Sequence, residues 1–501
     1  MTPFEYDAAA NNTVVVDALG NRTTSTFDEA NRRTSAKNAE GETTNFTYTS
    51  CGLLKEVEDP RGNRTTYVYD HNNLPVEVTN ALGETTTSAY DKAKNLITVE
   101  NARTCVTTYG YDKVGRRTTI TDALGQVSTN SYDANGNLVE AEDPSGALIT
   151  NIYDDRDRLE ERVDQLGERT TFGYDAAGNQ ITVEDARGNV TTTSYDELNR
   201  VESVKRPDSG VWATVFDAAG RVIARVDARG KRVTYTYDKT DHVKTMAARP
   251  SSTTDVFTTT YTYDAVYNRL SATNPRGAQT AWSYDKARRV TGVEDPLGNF
   301  TTYTYDAAGN RETVTDANGN VTSRVYDDLN RRIARVDPLP GYRTTQTFDE
   351  VGNLIETHYA NGERVSYTYD KLDRQETIEN PAGHKATNIY DDVQRTVSTV
   401  DFNGNRSTQT FDKRGALSTT ETAENIVSTL AYDEVGNLKS ATNGEGQTTE
   451  FSYSSVNLLT VREDALGNKT TYAYDKVGNR TSRKDPDGNT TYFSYDAMAL
   501  T

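Results

Sequence analysis

The chain alternates short stretches rich in Thr and Tyr with short polar stretches, and the alternation returns every 21 residues from one end to the other. In Thr65-Thr66-Tyr67-Val68-Tyr69 and Thr301-Thr302-Tyr303-Thr304-Tyr305, aromatic residues stand two apart among β-branched ones, which is strand chemistry. A shorter, more charged segment follows each, such as 138–142 or 354–357. Turn signals separate them at fixed places. In the repeat spanning 132–153, Tyr132-Asp133 opens the first turn, with Gly136 three residues past the Asp. Asp143-Pro144-Ser145-Gly146 makes the second. Asp bonds the backbone two residues on, Pro fixes φ at the next place, and Gly supplies a positive φ. Each turn is predicted to reverse the chain, so one repeat reads as two antiparallel strands and two turns, a meander.

The Asp slot of this unit occurs 24 times, beginning at Asp7 and ending at Asp496. An aromatic residue precedes it in all of them. Tyr fills 20, and Phe27, Phe216, Phe348 and Phe411 fill the others. Further copies of the signature are Tyr69-Asp70, Tyr305-Asp306 and Asp485-Pro486-Asp487-Gly488. So strict a period predicts one continuous array over residues 1–501, in which no repeat folds alone. Register slips twice, at 248–255 and at 337–341, both times where the second turn belongs, so both read as loop insertions.

Two strands per unit give about 48 strands, a ribbon of about 230 Å at the usual interstrand spacing. Sheets twist with a fixed hand, and long open ones curl or close. The expected fold is therefore all-β, a repetitive antiparallel hairpin array rolled into a spiralling, hollow shell. The rival is a parallel β-helix, whose coils also take about 20 residues. Two strong reversals per unit favour hairpins. A leucine-rich repeat lacks its leucine core here.

Composition sharpens this picture. Only 34% of residues are hydrophobic, while Tyr reaches 31 against 12 Phe, which suits a sheet wet at its edges rather than a thick apolar core. A net charge of −19 argues against nucleic acid and anionic membrane as partners. No stretch is long and apolar enough to span a bilayer, and residues 1–20 carry no signal-peptide pattern. Cys51 and Cys105 hold non-equivalent places in their repeats, so disulfides are not expected to stabilise the array.

Chemistry is sparse. His71, His242, His358 and His384 stand far apart, with no zinc motif near them. Acid pairs such as Asp154/Asp155, Asp327/Asp328 and Asp391/Asp392 occur, but an Asp copied in 22 of 24 repeats is a turn residue, not a catalyst. Calcium β-rolls need a Gly-Gly-x-Gly-x-Asp nonapeptide, which is absent. No enzyme activity, cofactor or metal is expected.

The series Tyr-Asp-x-x-Gly-Asn-Leu at 132–138, Asp295-Pro296-Leu297-Gly298-Asn299 leading to Tyr303-Thr304-Tyr305-Asp306, and Asp485-Pro486-Asp487-Gly488-Asn489 resembles the YD repeats of the Rhs family. That family includes polymorphic toxins, the C component of ABC toxin complexes, wall-associated proteins and teneurins. The resemblance implies a hollow β-shell that encloses a polypeptide cargo such as a C-terminal toxin domain, in a secreted or cell-surface setting. Partners would be that cargo or flanking shell domains. The chain reads as a segment of a longer shell, since the family's closing region, with its aspartyl self-cleavage residues, has no counterpart here. The other reading is an extracellular adhesion or carbohydrate-binding module that offers its Tyr rows to cell-surface glycans.

Overall fold

The computed structural model describes residues 4–249, 256–339 and 341–495. Among these residues are 47 β-strands, from Phe4–Tyr6 to Thr490–Tyr492, and no helix. A typical repeat supplies a six-residue strand ending on the aromatic, such as Val127–Tyr132, and a five-residue strand, such as Leu138–Glu142. Both pair antiparallel with their chain neighbours: Asn130 lies opposite Ala141, and Ala141 opposite Ile149. The same order recurs in the earliest and the latest repeats. The fold is thus the antiparallel meander, and not the parallel coil.

The hairpin closed by the first turn carries a bulge. Ser131 pairs with Glu140 and Tyr132 with Leu138, which leaves one residue unmatched. A bulge adds local twist and re-aims the side chain beside it. The aromatic of the Tyr-Asp pair stands at that point in almost every repeat. One hairpin departs from this, pairing Tyr390 with Val397 and Asp391 with Thr396 without a break.

Both turns are built alike. The Asp133 N–H donates to the Asn137 carbonyl (3.0 Å) and the Gly136 N–H to the Asp133 carbonyl (3.3 Å). The second turn repeats this with Asp143, Ala147 and Gly146. The fourth turn residue must adopt positive φ, 100° at Gly136 and 76° at Gly146. Where the sequence offers no Gly, the conformation persists: Asn31, Lys94 and Thr104 take φ of 61°, 69° and 58°. A β-branched residue there is strained, so Thr104→Gly should raise stability by about 1 kcal/mol. Urea unfolding of the two proteins side by side measures it, and an unchanged midpoint would refute the strain.

The chain forms two compact units, one of residues 1–126 with 259–385, the other of residues 127–258 with 386–501. Each therefore holds an earlier and a later ribbon. The first slip lies mostly outside the described residues, which omit 250–255; the strands flanking it, Val243–Arg249 and Phe257–Tyr263, are seven residues long. At the second slip, 340 lies outside the described residues, and the turn closes through Asp337 N–H to the Tyr342 carbonyl (2.8 Å). Pairing then continues as elsewhere, Ala334 opposite Thr345.

There is no thick core. Buried apolar residues among those described are few and mostly small, Ala224, Ala334 and Val14 among them, and no large side chain is fully buried. The accessible surface is 28998 Å². A globular monomer of this mass exposes about 18,000 Å². Stability must therefore come from the backbone ladder and from cross-strand pairs worth about 0.2–1 kcal/mol each, summed over dozens of rungs.

Candidate functional site

The candidate site is the repeat signature itself, a structural device copied along the chain. At its centre is the turn carboxylate. Asp133 Oδ1 accepts the N–H groups of Asn135, Gly136 and Asn137 at 2.8–3.0 Å. Asp70 accepts those of Asn72 and Leu74, each at 2.8 Å. Asp143 accepts from Ser145 and Ala147, Asp306 from Asn310, and Asp485 from Asn489. Pro144 and Pro486 take the second place of the second turn, and Gly146 and Gly488 its positive-φ place. These donors bond the charged form, and they hold the carboxyls of Asp70, Asp133, Asp143 and Asp485 below the ordinary carboxylate value. The Arg158 side chain, and then its backbone N–H, pull Asp154 down to about 2.

The residue four past the Asp links one repeat to the next, a role the sequence reading did not assign. Where it is Arg, its Nε grips the Asp, as Arg158 Nε does Asp154 Oδ2 at 2.7 Å. The guanidinium then lies over the aromatic that precedes the next Asp: Arg158 over Tyr174 at 4.5 Å, Arg200 over Phe216 at 4.3 Å, Arg289 over Tyr305 at 4.8 Å. Where it is Asn, it bonds the Asp, and where the next turn's fourth residue is Asn or Asp it reaches that as well, Asn137 to Asp157 and Asn310 to Asn330. An i,i+4 spacing after Tyr-Asp was the available signal.

The tyrosine completes the unit. Tyr69 O–H donates to the Leu54 carbonyl (2.8 Å) and Tyr305 O–H to the Val290 carbonyl (2.7 Å), each 15 residues back. The contact recurs along the chain, from Tyr48 to Tyr495. Burial raises the pKa of Tyr69 and Tyr305. Tyr132 closes its strand opposite Leu138. On alternate positions, hydroxyls pair across the strands, Thr304 with Thr313 and Thr368 with Thr377. A neighbouring row of aromatics is capped by Arg, as in Arg311 over Tyr303 and Arg269 over Trp282. Arg324 stands where that row has a ring in other repeats. It lies opposite Arg335, and burial, then Arg311, holds its pKa below the ordinary value.

Within each unit the two ribbons meet turn to turn. In the first, Arg103, in the second turn of its repeat, donates to the carbonyls of Tyr369 and Asp370 and to Asp373 Oδ1 (2.7 Å), all at a first turn. Arg61 reaches Asp327 and Asn330 in the same way. In the other unit, Arg187 meets Ser454 and Asn457, Arg414 meets Asp164, and Arg395 meets Ser145. Every one joins a second turn of the earlier ribbon to a first turn of the later one. Sequence reasoning missed all of these, because the partners lie 250 to 270 residues apart.

Other candidate chemistry stays dispersed. Both cysteines are free thiols. Among the described residues no group of His, Cys, Asp and Glu could hold a metal ion, and no helix is long and apolar enough to cross a membrane. Asp154 and Asp327 are turn acceptors gripping Arg158 and Arg331. Their neighbours Asp155 and Asp328 are exposed.

The profile of the teneurin YD-shell matches residues 5–161 and 98–274, which together span over half of the chain. That of the RHS repeat matches 284–321, 348–385 and 453–490. No curated protein sequence matches significantly. Among solved structures, the crystal structure of TcdB2-TccC3-Cdc42 is similar, with a TM-score of 0.61 at 14% identity over 96% of this chain and 32% of that one. A structure of the Photorhabdus luminescens Tc holotoxin pore gives 0.53 at 15% identity, over 97% of this chain and 30% of that one. At such identities the likeness shows the fold. The chain spans about a third of the length of these neighbours.

Proposed function

Since the chain belongs to the teneurin YD-shell family and carries RHS repeats, we propose that it is a wall segment of a YD-repeat shell that encloses and shields a polypeptide cargo. A toxin domain of the same secreted system is the cargo that fits best. The observation that carries this reading is the single-layered wall: among the described residues, a ladder of 47 strands in which no large side chain is fully buried. A sheet with so little core is suited to partitioning space. The solved structures whose fold it shares are titled as TcdB2-TccC3 complexes and a Tc holotoxin pore, which supports a toxin setting. The role is structural, the whole of 1–501 acting as continuous array within a longer shell, with flanking shell domains as its partners.

Glycan binding draws less support. Rings in the aromatic rows, such as Tyr303 and Trp282, are already stacked by Arg311 and Arg269. A sugar would have to displace those guanidinium groups.

Limited proteolysis of the intact gene product tests the proposal. The YD ribbon and an interior polypeptide should survive together, and the interior should become cleavable once acid opens the wall. Digestion of the interior while the ribbon stays whole would reject encapsulation. A glycan array giving saturable binding that aromatic substitutions abolish would favour adhesion.

A further inference from the structure

Three places before the Asp slot, 23 of the 24 repeats carry a neutral residue and one carries a charge, Arg324. Its neighbours along that row are Tyr303 on one side and Gln346 on the other. The residue directly across the ladder from this place is Arg in several repeats, but there it faces a neutral partner, as Arg462 faces Phe451 and Arg225 faces Thr214. Arg324 instead faces Arg335. Like charges directly opposite one another destabilise a ladder.

Two more guanidinium groups come from the place that caps the aromatic row. Arg311 lies over Tyr303 at 5.1 Å. Arg332 holds the same place one repeat on, where Arg324 stands instead of a ring, and its Nη2 reaches Gln346 Oε1 at 3.5 Å. Burial opposes the charge of the half-buried Arg324 first, and Arg311, Arg332 and Arg335 add to it. Arg324 Nη1 is shut off from solvent and has no hydrogen-bond partner among the described residues. A buried charged donor left unpaired is costly. The surrounding acids do not neutralise the group. Asp337 pairs with Arg335 at 2.6 Å. Glu312, beside Arg311 in its strand, is exposed and forms no ion pair with a described residue. In the adjoining first turn Asp327 is gripped by Arg331, and Asp328 is exposed. On the strands, four guanidinium groups therefore stand against two carboxylates, in a chain whose net charge is −19.

We propose that Arg311, Arg324, Arg332 and Arg335 form a binding site for a doubly charged oxyanion of the phosphate class, with Arg324 at its centre. A guanidinium presents a planar fork of donors that matches two oxygens of such an anion. Bound between Arg324 and Arg335, the anion gives Arg324 Nη1 the acceptor it lacks and turns the repulsive pair into two attractive contacts. Its two negative charges match the excess on the strands, whereas a carboxylate offers one charge and leaves part of that excess unmet.

Isothermal titration calorimetry of the full chain with inorganic phosphate, at constant ionic strength, tests the proposal. Wild type should bind one phosphate per chain, sulfate should compete for it, and acetate should bind at least ~10-fold more weakly. O-phosphoserine in place of phosphate tells the two sources of this chemistry apart: tighter binding assigns the site to a phosphomonoester, weaker binding to the free ion. Arg324→Tyr restores the ring found at Tyr303, and Arg324→Gln copies Gln346, so both keep the parent's circular dichroism. Each should weaken phosphate binding at least ~10-fold. Saturating phosphate should raise the thermal midpoint of wild type and leave theirs unmoved. Arg462→Gln removes one charge from the place equivalent to Arg335 in another repeat, and it should bind phosphate as wild type does. Equal loss of binding in Arg462→Gln would mean that overall charge is responsible and would overturn the proposal. So would a wild type without saturable phosphate binding, or an Arg324→Tyr protein that binds phosphate at wild-type strength.

Discussion

Acidification should unfold this protein through its turns. Twenty of the described Asp carboxyls are held below the ordinary aspartate value, among them Asp133, Asp175, Asp316 and Asp464. In most, the first cause is a hydrogen bond from the residue four places on, Asn137 for Asp133 and Asn468 for Asp464. A depressed pKa in the folded state means that the unfolded chain binds more protons as pH falls. Stability is therefore full well above the ordinary aspartate pKa of about 3.9 and is lost progressively as pH falls through and below it. One such carboxyl matters little; a score of them acting in one ladder sets the acid limit of the fold. Thermal melts by circular dichroism from about pH 7 to pH 2.5 should show the midpoint level at first and then falling steeply below about pH 4.5. High salt should preserve most of the effect, since backbone and side-chain hydrogen bonds dominate over distant charge.

Nature supplies the control for that experiment. Asn fills the same acceptor place at second turns, where Asn38 Oδ1 accepts the N–H groups of Glu40 and Glu42 and Asn80 Oδ1 those of Leu82 and Glu84. Replacing Asp295, Asp316, Asp401 and Asp464 by Asn should keep the turns and flatten the acid slope in proportion. A midpoint unmoved between about pH 5 and 2.5 in the parent would show that the turn carboxylates do not govern its stability.

The second large effect is register. One residue inserted between Thr302 and Tyr303 sends each side chain before it to the opposite face or forces the ones after it out of line. The Tyr305 bond to Val290, the Arg289 stack on Tyr305, the Arg311 stack on Tyr303 and the Thr304–Thr313 pair are then lost together. The expected cost is about 3–5 kcal/mol, beyond the range of ordinary single changes. The same residue inserted after Leu297, in the second turn, should cost under about 1 kcal/mol, since lengthening a loop is cheap. The chain already tolerates such an insertion: the turn at Asp337 is one residue longer, and Val336 still pairs with Arg343. Urea unfolding of both insertions, with hydrogen exchange across 279–326, distinguishes them. Equal costs would mean that the strand register is not what holds the wall together. In a repeat array the lesion should stay local, with exchange rising in the neighbouring strands first.

Much of the fold was legible because each repeat restates its own local instructions. Asp133, Gly136, Asp143, Pro144 and Gly146 mark two reversals by their backbone preferences alone, and Thr and Tyr two apart mark the strands between. Neither depends on anything distant. Less legible was the turn whose fourth residue is not Gly: Lys94 and Thr104 adopt positive φ because the flanking ladders hold them there against their own preference. The link from Arg158 to Tyr174 was hidden for another reason. It needs the next hairpin in place before the guanidinium has a ring to cover.

By itself, then, the sequence determined the repeat, its two turns, its antiparallel strands and the absence of a thick core. All of these follow from short-range preferences written into 21 residues. Only the tertiary structure decided which copies meet. Leu82 and Leu297 hold the same place in the same turn, yet one is half covered and the other almost bare. Leu124 and Leu466 show the same contrast, 42% against 87% exposed, within identical Asp-Ala-Leu-Gly turns, so the local sequence does not separate them. What separates them is whether another ribbon, some 250 residues away, has come to lie against that edge.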